Sequence, residues 1–231
     1  MSRPFSLSAL LLAVLMLAAP AFAAGNKWTQ RVAAGQDVWA TVQTSQGDFT
    51  LRLFSKDAPK TVASFVGLAT GQKEWTNPET GKPTKKPLYE GVTFHRVIPG
   101  FMIQGGDPTG TGAGSVGFNV PDEFHNGHTF DKPGMAAMAN VGRPDTNSSQ
   151  FFVTVAPTQY LNDRHTIFGE VVQGYDVVEK ISKVPTSRGN RPEEPVVIRK
   201  VVLSDRAPGA KAPPAKAAPA KGKGASAAHK P

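Results

Sequence analysis

What most constrains this chain is the close spacing of its turns. Between Val38 and Leu203, short runs of β type follow one another, each bounded by glycine, proline or small polar residues. VWATVQT (38–44) and DFTLRLF (48–54) alternate apolar and polar residues around Ser45-Gln46-Gly47, the pattern of a hairpin with one buried face. GVTFHRVI (91–98), FFVTV (151–155), TIFGEVV (166–172) and PVVIRKVVL (195–203) read as four further strands. Only two stretches carry helical periodicity. In the first, Asp57 can cap, Pro59 suits the opening turn, Val62, Phe65, Val66 and Ala69 share a face, and Gly71 ends the helix. The second, Tyr175 to Lys183, would bury Val177, Val178 and Ile181. Residues 72–87, with prolines at 78, 83 and 87, show no period and are expected to form a surface loop. Short strands outnumbering helices predict a mainly β fold, a closed antiparallel β-barrel, because closure removes exposed sheet edges.

The two ends differ in composition from this body. Arg3, the apolar run SLSALLLAVLMLAA and Ala21-Phe22-Ala23 have the form of a signal peptide over residues 1–23. The run is shorter than the ~20 residues a spanning helix needs, so cleavage near Ala24 and a periplasmic location are expected, with no membrane span afterwards. Export points to an oxidising compartment, yet the chain has no cysteine, and stability must come from packing in a single domain over 24–206. The tail, 207–231, is rich in Lys, Ala and Pro and has too little apolar surface to order itself. Of the formal charge of +8, five lysines lie in this tail and one arginine in the leader, which leaves +2 for 24–206. A nearly neutral body without a basic stripe does not fit nucleic acid. The tail's lysines allow weak contact with an anionic surface.

Several active-site signatures fail on context. GAGSVG (112–117) has the dinucleotide-binding spacing but no strand-turn-helix around it. His125 and His128 have H-x-x-H spacing in a polar turn, without a third ligand, and read as solvated loop histidines. Ser148 and Ser149 share the chain with Asp163 and His165, but no G-x-S-x-G elbow presents either serine as a nucleophile.

The stretch FHRVIPGFMIQGGD (94–107) sets an arginine among large apolar residues. Followed in order by GTGAG, MAAMAN, TNSSQFFVT and LNDRHTIFGEV, it resembles the cyclophilin family of peptidyl-prolyl cis-trans isomerases, over about Val38 to Leu203. The resemblance implies an eight-stranded antiparallel barrel capped by two helices. It implies a catalytic role for Arg96, with Gln104 and Gln150 as polar groups beside it. Phe101, Met102, Phe152 and Leu161 match the lining of a proline pocket, with His165 at its edge. Ala139 and Asn140 match a wall that binds peptide backbone. His95 would have a supporting role, since in an extended strand its side chain points away from that of Arg96.

Tyr160 stands where many members of that family carry tryptophan, a position linked to cyclic-peptide inhibitors, so tight cyclosporin binding is not implied. Val141 and Ser148 also replace smaller residues along the groove. The resemblance implies no cofactor and no metal. The expected partners are proline-containing segments of exported proteins, either isomerised or, in the alternative, merely held by a chaperone-like module. Without heptads or an obvious second interface, a monomer is expected.

Overall fold

The computed structural model describes residues 26–210. The leader and nearly all of the Lys/Ala/Pro tail lie outside the described residues. Ten strands and three helices occur in the order α1 (Lys27–Ala33), β1 (Val38–Thr44), β2 (Gly47–Leu53), α2 (Pro59–Thr70), β3 (Trp75–Asn77), β4 (Lys82–Thr84), β5 (Phe94–Ile98), β6 (Met102–Gly105), β7 (Met135–Met138), β8 (Phe151–Thr154), β9 (Ile167–Gln173), α3 (Tyr175–Ser182) and β10 (Ile198–Ser204). A 3-10 turn, Gln159–Leu161, precedes β9.

Eight strands form one antiparallel sheet in the order β10-β1-β2-β9-β7-β8-β6-β5. The expected closed barrel is not what forms. The sheet is an open, curled half-barrel whose edge strands, β5 and β10, stay 8 Å apart. They meet only at one corner, where the Phe94 amide donates to Val196 O (2.9 Å) and the Ile198 amide to Val92 O (2.7 Å). Beyond that corner the loop before β10 takes over: the Val97 amide donates to Asn190 O at 2.8 Å. A loop that satisfies the edge removes the hazard of free strand groups as well as a closing strand would.

Strand alternation divides the sheet into two apolar faces. Ile103, Ala136, Phe151, Val153 and Phe168 belong to the main core under α2 and α3. There Phe65 of α2 packs against Tyr89, Phe151 and Phe168 at centroid distances of 4.9, 5.6 and 5.2 Å. Tyr89 is buried with its hydroxyl donating to Ser149 O at 3.1 Å, and burial pushes its pKa well above the ordinary value. The intervening residues, Met102, Met135, Ala137, Phe152 and Ile167, form a second cluster with Phe54 and Phe130 on the opposite face.

The helices depart from expectation in two ways. A third one, α1, is capped by Asn26, whose Oδ1 accepts from the Trp28 amide (2.9 Å), and it buries Val32. The start of α2 is capped from a distance: Glu123 accepts from the Lys60 and Thr61 amides at 3.0 and 2.9 Å. Asp57 instead meets His128 Nε2 at 2.9 Å. Gly71 ends α2 as expected, in a left-handed conformation at φ 72°. The segment expected as a plain loop carries the hairpin β3–β4, and the Trp75 indole is tied to Lys86 O (2.9 Å).

Candidate active site

Arg96 owes its direction to an irregularity in β5. Phe94 pairs with Gly105 and Arg96 with Gln104, so the register shifts at His95 and strict alternation is interrupted. The bulge lets Phe94 and Val97 both join the main core while Arg96 stays half-buried on the other face. His95 sits at this shift, where alternation alone does not fix its direction. It is buried against Gly112, and neither ring nitrogen has a hydrogen-bond partner among the described residues. Burial, with Arg191 and Arg96 nearby, lowers its pKa despite the opposing pull of Asp107.

A chain of side-chain hydrogen bonds fixes the guanidinium. Arg96 Nη1 donates to Gln104 Oε1 (3.2 Å), Gln104 Nε2 to Gln150 Oε1 (3.1 Å), and Gln150 Nε2 to Gly112 O (3.0 Å). The Arg96 Cζ also lies 5.9 Å from the centroid of the Phe101 ring. Below it the second apolar cluster opens: Met102 and Phe152 are buried, and Phe101, Ala139 and Leu161 pack against them. His165 closes one side, edge-on to Phe152 at 5.2 Å, with Nδ1 2.9 Å from Met138 O. That contact suits a tautomer with Nδ1 protonated; burial lowers the pKa and outweighs the opposing pull of the Met138 carbonyl. Tyr160 reaches over Phe101 at 6.1 Å and is 64% exposed. A strongly exposed ring can meet a ligand, but it adds little to the fold.

Beside the hollow runs a cleft of about 280 Å³ lined by Gln104, Gly112, Ala139, Asn140, Ser148 and Gln150, among others. Asn140 is held by its Nδ2 donating to Arg164 O at 2.8 Å. Val141 at the cleft wall is 69% exposed, so its extra methyl groups over alanine face the groove entrance rather than the core. Ser148 and Ser149 donate to Phe118 O and Gly106 O, away from His165, which leaves no nucleophile-base pair. His125 pairs with Asp163 (3.0 Å) and is exposed as expected; His128 instead stacks on Phe54 at 3.8 Å. A larger cleft of about 540 Å³ between α1 and α2 has Lys60, Ser64 and Lys73 in its lining and is built from none of the groups around Arg96.

Residues 39–203 match the family described as cyclophilin-type peptidyl-prolyl cis-trans isomerase. The chain belongs to the cyclophilin family. It is a peptidyl-prolyl cis-trans isomerase acting on proline-containing substrates. It is 53% identical over 174 residues to peptidyl-prolyl cis-trans isomerase B of Streptomyces anulatus, an alignment spanning 74% of this chain and 99% of that one. It is 54% identical over 167 residues to peptidyl-prolyl cis-trans isomerase A of Mycobacterium tuberculosis, covering 71% and 91%. Among solved structures, a cyclophilin-type isomerase of Cryptosporidium parvum, determined in the presence of the dipeptide Ala-Pro, aligns with a TM-score of 0.62 and 31% identity, covering 73% of this chain and 99% of that one.

The site of this cyclophilin also uses residues that side-chain patterns do not reveal. Gly112 contributes a backbone carbonyl to the hydrogen-bond chain. Its one sequence signal is the glycine-rich run 110–117, in which Gly110, Gly112 and Gly117 have positive φ of 62°, 86° and 84°.

Proposed function

We propose that this cyclophilin isomerises Xaa-Pro bonds in exported polypeptides as they fold, with Arg96 as the catalytic donor. Resonance in the amide sets a barrier of about 18 to 20 kcal/mol. At the twisted midpoint resonance is lost, and the prolyl nitrogen becomes pyramidal with a lone pair that can accept a hydrogen bond. A donor aimed at that nitrogen binds the midpoint and neither planar ground state, and such differential binding lowers a barrier. Arginine suits the task because it always donates from a rigid plane and transfers no proton.

The observation that carries this reading is the fixed guanidinium, held by Gln104 at 3.2 Å on the rim of a hollow made by Phe101, Met102, Phe152 and Leu161. The apolar hollow holds the pyrrolidine ring while the preceding carbonyl swings. One charge-assisted hydrogen bond supplies about 1.5 to 3 kcal/mol. Spontaneous isomerisation takes roughly 10 to 100 s, and reaching about 10³ s⁻¹ requires ~7 kcal/mol. Ring immobilisation and water exclusion must therefore carry the larger share. Ala139 and Asn140 offer the wall for the substrate backbone, and His165 and Tyr160 bound the pocket.

The direct test is exchange NMR between cis and trans forms of a short proline peptide. Arg96→Ala is expected to lose most of the exchange enhancement while the peptide still binds; equal enhancement by both proteins would sink the arginine mechanism. Export is a separate claim, resting on the form of residues 1–23. N-terminal sequencing of protein recovered from the periplasm is expected to start near Ala24, and a cytoplasmic protein that retains Met1 contradicts it.

A further inference from the structure

The arginine chain ends on a peptide carbonyl, and a carbonyl in a glycine-rich loop holds direction only if something fixes its plane. That peptide, Gly112–Ala113, is flanked by amides bound to one carboxylate. Asp107 is fully buried, and its Oδ2 accepts from the Gly112 amide (2.6 Å) and the Gly114 amide (3.1 Å). Its Oδ1 accepts from the Thr109 amide and the Thr109 hydroxyl, both at 2.8 Å. The Thr109 and Thr111 hydroxyls share a hydrogen bond of 2.8 Å, and Thr111 Oγ1 accepts from the Ala113 amide at 3.2 Å. The one peptide plane thus has its N–H tied back toward Asp107 and its C=O facing Gln150.

We infer that Asp107 is a positioning residue for Arg96: its carboxylate sets the Gly112–Ala113 peptide, whose carbonyl anchors the chain Gln150–Gln104–Arg96. The proposal rests on the reading of Arg96 given above and deepens it. Three amides of one loop converge on this carboxylate, an anion-binding concavity closed around a side chain of the same loop instead of a ligand. Burial alone would push the Asp107 pKa up, but the amides of Thr109, Gly114 and Gly112 with the Thr109 hydroxyl more than offset it, and the net shift is downward. The carboxylate is therefore ionised at neutral pH and accepts at both oxygens. The loop's glycines follow from the same geometry. A Cβ on Gly114 would run into the Asp107 carboxylate, and one on Gly112 would meet the His95 ring at 3.4 Å.

A double-mutant cycle on the full chain tests this, read by peptide exchange NMR and by the Arg96 Nε–Hε resonance of ¹⁵N-labelled protein. Asp107→Asn preserves shape but turns an NH₂ toward amides that need an acceptor. A misplacement of about 1 Å can cost about 10²-fold, so the substitution is expected to lower kcat at least about tenfold, leave KM within about twofold, and shift or broaden the Arg96 resonance. In a Gln150→Leu background, where the link is already cut, Asp107→Asn is expected to cost less than about twofold, because residues acting through one chain are not additive. A purely structural role predicts equal losses in both backgrounds; that result, or an unmoved Arg96 resonance, overturns the proposal. Should Asp107→Asn fail to fold, Thr109→Val removes one of the carboxylate's donors more gently, and the same background dependence decides. Full turnover by Arg96→Ala would refute the role of Arg96 itself, whereas the resonance in Asp107→Asn reports on positioning whichever way that falls.

Discussion

A guanidinium among apolar residues at 94, 97, 98, 101 and 102 also suits a snorkelling arginine beside ordinary core, and it is the ordered family motifs that single out Arg96. Asp107 was not readable, since its partners are mostly backbone amides that no residue letter records. Nor was the setting of His95, which depends on one register shift. The buried titratable groups predict a two-stage response to acid. The pKa values of His95 and His165 lie below the ordinary histidine value, so below about pH 6.5 the unfolded chain binds protons that the fold resists. Their contribution to stability is complete above that pH and declines as the pH falls toward the lowered folded values. Asp107 has the opposite protonation chemistry: its lowered pKa stabilises the fold above about pH 4 and is lost only below it. Thermal melts between pH 8 and pH 3 are expected to show a first decline below about 6.5 and a second below about 4. His95→Asn, whatever it does at pH 8, is expected to flatten the first decline; an unchanged slope would remove His95 from this account. Turnover should be nearly flat from pH 7 to 9, since the proposed donor transfers no proton.

At the scale of elements, alternation reveals a strand only when one of its faces is wet. β1 shows it, with every second residue fully buried, and was read from sequence. β7 is buried at all four positions, and β6 at three of four, because both sheet faces are covered there; such runs have no period, and β8, equally buried, was read only from the β-type residues of FFVTV. The hairpin β3–β4 was hidden by length and by Pro83, and α1 by having only seven residues. The start of α2 shows a further limit. Asp57 is in the sequence position of a cap, but Glu123, 62 residues from Thr61, does the capping, and no local rule can see it. Two backbone amides bound to one carboxylate at 3.0 and 2.9 Å make Glu123 a more effective cap than a single hydroxyl. Glu123→Ala is expected to destabilise the protein by about 1 to 2 kcal/mol, measured by urea unfolding with an unchanged m-value. Asp57→Ala should cost less. Equal losses, or a larger one for Asp57, would return the capping role to Asp57.

For the whole molecule, the family pattern implied a closed barrel of eight strands; the strand count holds and the closure does not. Closure depends on whether β5 and β10 pair, and the intervening loop before β10 decides it, because Asn190 O accepts from the Val97 amide. Asn190 sits at φ 59°, a conformation asparagine tolerates better than most residues, so this contact depends on one strained loop position. The consequence for motion is specific. The amides of Phe94 and Ile198 lie at the corner where chain segments from both edges interlock, and freeing them requires the sheet to part. The Val97 amide, though its side chain is fully buried, is released as soon as the loop lifts. Hydrogen exchange from protein with an intact sheet is therefore expected to occur at Val97 through a local opening of lower free energy than at Phe94 and Ile198. Asn190→Val, which disfavours the positive φ, should accelerate exchange at Val97 while leaving the other two nearly unchanged. Because Arg96 immediately precedes Val97, the same variant is expected to broaden the Arg96 side-chain resonance. Uniform protection along β5 would instead mean that the two edges open together and behave as one closed wall.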